Sequence, residues 1–142
     1  MDNLTPTMSG KSRVVSLLKE AGITPTQQRI EIAQILFAKL HHLSAEQVLS
    51  QVNRDQALVS KATVYNTLGL FASKGLVREV IVDPSKVFYD SNTKPHHHFF
   101  NVDTGLLTDF DSDTVQIEQL PSLPEGTIAD GVDIIIRLRN GH

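Results

Sequence analysis

Cysteine is absent from all 142 residues. Its absence excludes disulfides, thiolate zinc sites and a thiolate ligand to haem iron. Long apolar runs are missing as well. No stretch reaches the roughly 18 consecutive apolar residues that a membrane span needs. The opening residues Met1-Asp2-Asn3-Leu4-Thr5-Pro6 lack the basic and apolar blocks of a signal peptide, so the expected location is the cytoplasm. A large charge of one sign is missing too, with the net value at −3. That value hides an asymmetry: residues 1–82 carry +3 and residues 83–142 carry −6. The front could meet an acidic polymer, whereas the rear would repel one. At 40% hydrophobic and 20% charged, the chain can bury a core, and its length suits one domain or two small ones.

Histidine, by contrast, is concentrated. His96-His97-His98 hold half of the six histidines. Imidazole is the commonest metal ligand and titrates near neutral pH.

The front half reads as helices followed by a hairpin. Val14, Leu17, Leu18 and Ala21 repeat at helical spacing, and Gly22 stops the run. Thr24-Pro25-Thr26-Gln27 predicts an N-cap with Pro at the first helical position and a capping-box Gln. Behind it Ile30, Ala33, Phe37 and Leu40 fall on one side of a second helix. Ser44-Ala45-Glu46-Gln47 is another capping box, opening a third helix with Val48, Leu49 and Val52. Ser60 caps a fourth, striped by Val64, Leu68, Phe71 and Ala72 and ended by Gly75. Leu76 to Val82 and Val87-Phe88-Tyr89 are β-formers around an Asp83-Pro84-Ser85-Lys86 turn. This order makes a winged helix-turn-helix, in which the last helix enters the DNA major groove and the hairpin touches the backbone or minor groove. Off the apolar stripe, the fourth helix offers Lys61 and Thr63 for phosphate, Tyr65 for a thymine methyl and Asn66 for an adenine edge.

The rear half reads as a small α/β domain. Phe99 to Val102 and Leu106 to Phe110 are strands around an Asp103-Thr104-Gly105 turn. Val132 to Arg139 is a final strand, and Leu120 to Gly126 has room for one helical turn. So small a sheet is poorly covered by its own chain, and a second copy is expected to pair with it, the apolar last strand being the candidate element. The expected fold is therefore α+β, with a winged-helix DNA-binding domain over residues 1–90 and a dimerisation and metal-sensing domain over residues 91–142. On a strand, His96 and His98 share one side and His97 takes the other.

Thr24-Pro25-Thr26-Gln27-Gln28-Arg29, His41-His42-Leu43-Ser44-Ala45-Glu46, Ala62-Thr63-Val64-Tyr65-Asn66-Thr67-Leu68 and the His96–His98 run resemble, in that order, the ferric uptake regulator family of dimeric, metal-responsive winged-helix transcription factors. The likeness covers about Lys11 to Arg139. Ser91 to Phe100, Leu120-Pro121, Pro124-Glu125-Gly126 and Val132 to Arg139 are similar to its iron response regulator branch, which lacks the structural Cys-x-x-Cys zinc site and answers to iron and haem. Asn101 and Thr104 stand where the wider family has those cysteines.

The resemblance implies a regulatory site of His42, Asp90, His96, His98 and Asp109 joining the two domains. Imidazoles with carboxylates suit Fe(II), Mn(II) or Zn(II). An ion there would fix the angle between two DNA-reading helices by favouring one domain arrangement. It also implies haem as a further ligand, with His96, His97 and His98 as candidate contacts, because the N-terminal Cys-Pro haem motif of some members is absent. A protein that delivers or makes haem is then a candidate partner. For DNA it implies Tyr65 on bases and Arg29 on the backbone, with Lys11 reaching phosphate or the minor groove. Asn66 replaces an Arg of the ferric uptake branch, so a different operator is expected. Leu138 or Arg139 stands where a second regulatory site needs His. The expected molecule is a homodimeric regulator, a repressor of iron and haem genes, bound to double-stranded promoter DNA and no membrane. The alternatives are a peroxide-, manganese- or zinc-responsive sibling and, further off, a metal-dependent hydrolase.

Overall fold

A computed structural model describes residues 10–141, and the chain divides into two compact units, the first ending at Thr93 and the second starting at Lys94. The first unit runs α1 (Gly10–Glu20), α2 (Gln27–Leu36), β1 (His42–Ser44), α3 (Ala45–Val52), α4 (Lys61–Ser73), β2 (Arg78–Asp83) and β3 (Lys86–Asp90). Helix boundaries follow local chemistry. Ser44 and Gln47 satisfy each other's backbone N–H groups in a complete capping box at the start of α3. Ser60 accepts from the Thr63 N–H at the start of α4, and Gly75 follows its end at φ +76°, a conformation that suits glycine.

The start of α2 departs from expectation. Thr24 and Pro25 do not open the helix, because the Thr24 carbonyl accepts the Thr26 N–H at 2.9 Å in a tight turn about Pro25. Thr26 becomes the N-cap and accepts from the Arg29 N–H, so Gln27 closes no capping box. The helix also stops at Leu36. Phe37 caps it by donating to the Ala33 carbonyl, and the chain then leaves the helical path, which leaves Leu40 exposed rather than on the apolar stripe.

Val14, Leu18, Ile32, Leu36, Val48, Val64, Leu68 and Phe71 form the fully enclosed centre of this unit. The helices pack around it, and a three-stranded antiparallel sheet of order β1-β3-β2 closes it. His42, expected in a loop, instead begins β1, where it lies directly opposite Asp90 of β3.

The second unit is a sheet of order β5-β4-β6, with β4 (His96–Asn101) central, β5 (Leu107–Asp111) antiparallel and β6 (Ile135–Leu138) parallel to it. Its helical turn among the described residues is Ser112–Thr114. None forms over residues 120–126, where Gly126 takes φ +80° and Thr127 donates to the Pro124 carbonyl. Two prolines in that stretch remove backbone donors that a helix would use. Among the described residues no helix is long and apolar enough to cross a membrane.

Candidate metal centre and nucleic-acid interface

Alternation along β4 puts His96 and His98 on one face of the second unit, their rings 4.6 Å apart. Antiparallel register places Asp109 directly opposite His98. The Asp109 carboxylate reaches both imidazoles, with Oδ1 at 3.3 Å from His98 Nε2 and 3.6 Å from His96 Nε2. Both rings are buried, His98 at 1% exposure, whereas Asp109 is partly open to solvent. The Lys94 carbonyl lies 2.6 Å from His96 Nδ1 and fixes that nitrogen as a donor. His96 Nε2 then faces the Asp109 carboxylate. Fixing the distal nitrogen of a ligating histidine on a carbonyl is how metal sites set the tautomer. The ligand-capable atoms of His96, His98 and Asp109 lie within 4.8 Å of one another, a spacing that one divalent ion can bridge.

His97 behaves differently. It is buried on the opposite face, packs on Phe110 with ring centroids 5.6 Å apart, and accepts the Ile134 N–H at Nδ1. Its neutral form therefore carries the proton on Nε2. These contacts set His97 apart from His96 and His98, which lie on the other face of β4.

In the first unit, Asp90 is fully buried at the end of β3, opposite both His42 and Arg78, and its carboxylate accepts the Asn92 N–H. The His42 ring stands edge-on to Phe88. Ser91 then ties this end of the sheet to the preceding loop: its hydroxyl lies 3.1 Å from the carbonyls of Lys39 and His41, and its N–H donates to His41.

The expected DNA contacts fall into two groups and an outlier. Arg29, Thr63 and Asn66 line one polar cleft of about 330 Å³ between the start of α2 and the face of α4, together with Thr26, Gln28 and Thr67. Arg29 is partly committed there, since its guanidinium donates to the Thr24 carbonyl at 3.0 Å, and the Thr63 hydroxyl takes a hydrogen bond from Ser60. Lys61 and Tyr65 form the second group, with the Lys61 ammonium 5.8 Å from the centre of the Tyr65 ring. Lys11 lies exposed in the first turn of α1.

Sequence reasoning missed one member of the second group. Glu46 of α3 accepts a hydrogen bond from the Tyr65 phenol. That bond holds the Glu46 carboxyl below its ordinary range and pushes the Tyr65 phenol up. The signal in the sequence was an acid in the first turn of α3 beyond the two residues that make its cap, but its partner lies 19 residues away.

The ferric uptake regulator family profile matches residues 20–127, which is most of the chain. The chain belongs to the ferric uptake regulator family. Among curated relatives, the peroxide-responsive repressor PerR of Staphylococcus aureus is 32% identical over 96 residues, covering 68% of this chain and 65% of that protein, so the match spans just under two thirds of the relative's length. Among solved structures, the ferric uptake regulator of Pseudomonas aeruginosa with manganese is 26% identical at a TM-score of 0.68, covering 89% of this chain and 97% of that one. The Vibrio cholerae ferric uptake regulator, 21% identical at a TM-score of 0.70 over 89% and 99% of the two chains, shares the fold. Members of the family are metal-responsive transcriptional regulators and not enzymes, so the hydrolase alternative falls.

Proposed function

We propose that this protein is a homodimeric, DNA-binding repressor that answers to a divalent ion and governs iron and haem homeostasis. The observation that carries the metal part is the His96, His98 and Asp109 cluster, with one imidazole already oriented by the Lys94 carbonyl. Its nitrogen and oxygen donors fit Fe(II), Mn(II) or Zn(II). Asp90 and His42, paired across β1 and β3, supply the remaining ligands that the family pattern implies. Ion binding that favours one arrangement of the DNA-reading surfaces by a few kcal/mol is enough to switch occupancy of an operator. Tyr65 and Asn66 read bases, while Lys11, Arg29, Lys61 and Thr63 hold the backbone. The half-exposed apolar β6, with Ile136 and Leu138 open, is the element offered to the second copy. Such a regulator works where the chromosome is, in the cytoplasm.

Peroxide sensing is the second reading, favoured by the match to the Staphylococcus aureus repressor. Haem enters through the iron response regulator likeness, with His96, His97 and His98 as its candidate contacts.

The deciding experiment titrates Fe(II), Mn(II) and, separately, haem into apo-protein and follows affinity for promoter DNA. The expected result is DNA binding that rises with Fe(II) or Mn(II) and falls as haem produces a Soret band. Loss of binding when the Fe(II) form meets peroxide, with no response to haem, transfers the protein to the peroxide reading. His98→Ala is expected to weaken metal affinity by more than the roughly 10- to 100-fold that losing an outer-shell partner of a ligand costs. DNA affinity indifferent to every metal would overturn the proposal.

A further inference from the structure

We infer that Glu46 is a positioning residue that makes Tyr65 a reader of thymine methyl groups instead of a general phosphate contact. The inference rests on the DNA-binding reading above. An exposed tyrosine on a DNA-facing helix has two options. Its phenol can donate to a phosphate oxygen, which carries no sequence information, or its ring can pack on a base edge, which does. Here the phenol is spent. Its O–H donates to the Glu46 carboxylate, and the Lys61 ammonium sits near the ring. What Tyr65 presents, at 39% exposure, is aromatic carbon.

Glu46 also acts by charge. It is exposed, it sits in the first turn of α3, and Lys61 and Lys86 are the cations whose fields it feels. A carboxylate there repels a phosphate from the same spot, and the hydrogen bond from Tyr65, with its own backbone N–H and the two lysines behind it, keeps it ionised. Geometry and charge therefore act together. The hydrogen bond fixes the phenol, and the negative charge removes the sequence-independent alternative. The packing of α3 against α4 sets the distance between the two side chains, so the pair belongs to the scaffold and not to a mobile loop.

The test uses the full-length, metal-loaded protein and duplexes selected by it from a random-sequence pool. Each thymine of the selected site is replaced in turn by uracil, which lacks only the 5-methyl group, and affinities are read by fluorescence anisotropy alongside a scrambled duplex. Wild type is expected to weaken about three- to tenfold at one uracil per half-site, the worth of one buried methyl or somewhat more. Glu46→Ala is expected to lose that preference and to bind scrambled DNA more tightly. Glu46→Gln, which keeps an acceptor for the phenol, is expected to retain the preference while gaining scrambled affinity. Tyr65→Phe is expected to remove any further effect of Glu46→Ala on the preference, and thermal midpoints close to wild type confirm that all variants fold. Glu46→Ala with an unchanged thymine preference and an unchanged selected-to-scrambled ratio would sink the inference alone. A wild type that shows no thymine preference at any position does the same. A wild type that selects no duplex overturns the DNA-binding reading and this inference with it.

Discussion

Single side chains do more organising work here than their positions suggest. Asn53 ends α3 and uses both ends of its amide: Nδ2 donates to the Val59 carbonyl at 2.7 Å, and Oδ1 accepts from the N–H groups of Leu58 and Val59 at 2.9 Å each. It builds the turn that delivers Ser60, and hence the whole of α4, to its place. Asn53→Ala is expected to cost about 1–3 kcal/mol, because backbone groups beside the buried Val59 lose their partner; urea denaturation with an unchanged m-value would show it. A midpoint equal to wild type would mean that water replaces the amide without loss. Residues of this kind were hardly legible in the sequence. The caps at Ser44 and Ser60 were, because a cap and its N–H are three residues apart and the pattern is local. His96 and His98 were, because strand alternation alone puts them together. Glu46, Asn53 and the Lys94 carbonyl were not. Each acts through a hydrogen bond whose meaning depends on where the next element lands. Thr24 failed for a different reason: two start signals stood side by side, and the chain chose the second.

Among the elements, the β4–β5 hairpin repays attention because Asn101 and Thr104 occupy it. Asn101 Oδ1 accepts from the N–H groups of Asp103 and Thr104, and its Nδ2 donates to Asn140 Oδ1 at 2.9 Å. Asn140 in turn donates its backbone N–H to the Asp103 carboxylate at 2.8 Å. These bonds stitch the hairpin to the chain just beyond β6 with no metal and no thiol. Asn101→Ala is expected to destabilise the second unit by about 0.5–1.5 kcal/mol, seen as faster amide exchange in β6 while α4 keeps its protection. Equal exchange throughout would show that the stitch carries no weight. Strand existence was readable from β-branched runs and turn residues, but partners were not. That β6 runs parallel to β4, and that a three-residue β1 sets His42 opposite Asp90, are facts of pairing between distant segments, and no local period encodes them.

For the molecule as a whole, the titration of buried groups sets a boundary on stability. Burial pushes the Tyr89 phenol up, with the charges of Glu79 and Glu46 adding to it. A phenol whose folded value lies above its unfolded value of about 10 contributes stability that is fully present below the unfolded value and is lost as pH rises through the folded one. Thermal midpoints are therefore expected to hold up to about pH 10 and to decline above it, with Tyr89→Phe flattening the decline. The remainder belongs to Tyr65, shifted the same way by Glu46. An identical alkaline decline in Tyr89→Phe would assign the loss elsewhere. The parallel β4–β6 pairing has a consequence of another kind, for the order in which the second unit assembles. His97 and Ile134 meet across 37 positions of sequence, and residues 116–133 between β5 and β6 are exposed and outside any regular element. Closing a loop of that length costs about 3 kcal/mol of chain entropy before any contact repays it. The β4–β5 hairpin, joined by a short turn, is therefore expected to form first, with β6 arriving last. A single protease cut within 116–133 would turn that strand from a tethered part of the sheet into a free peptide at the mercy of its own concentration.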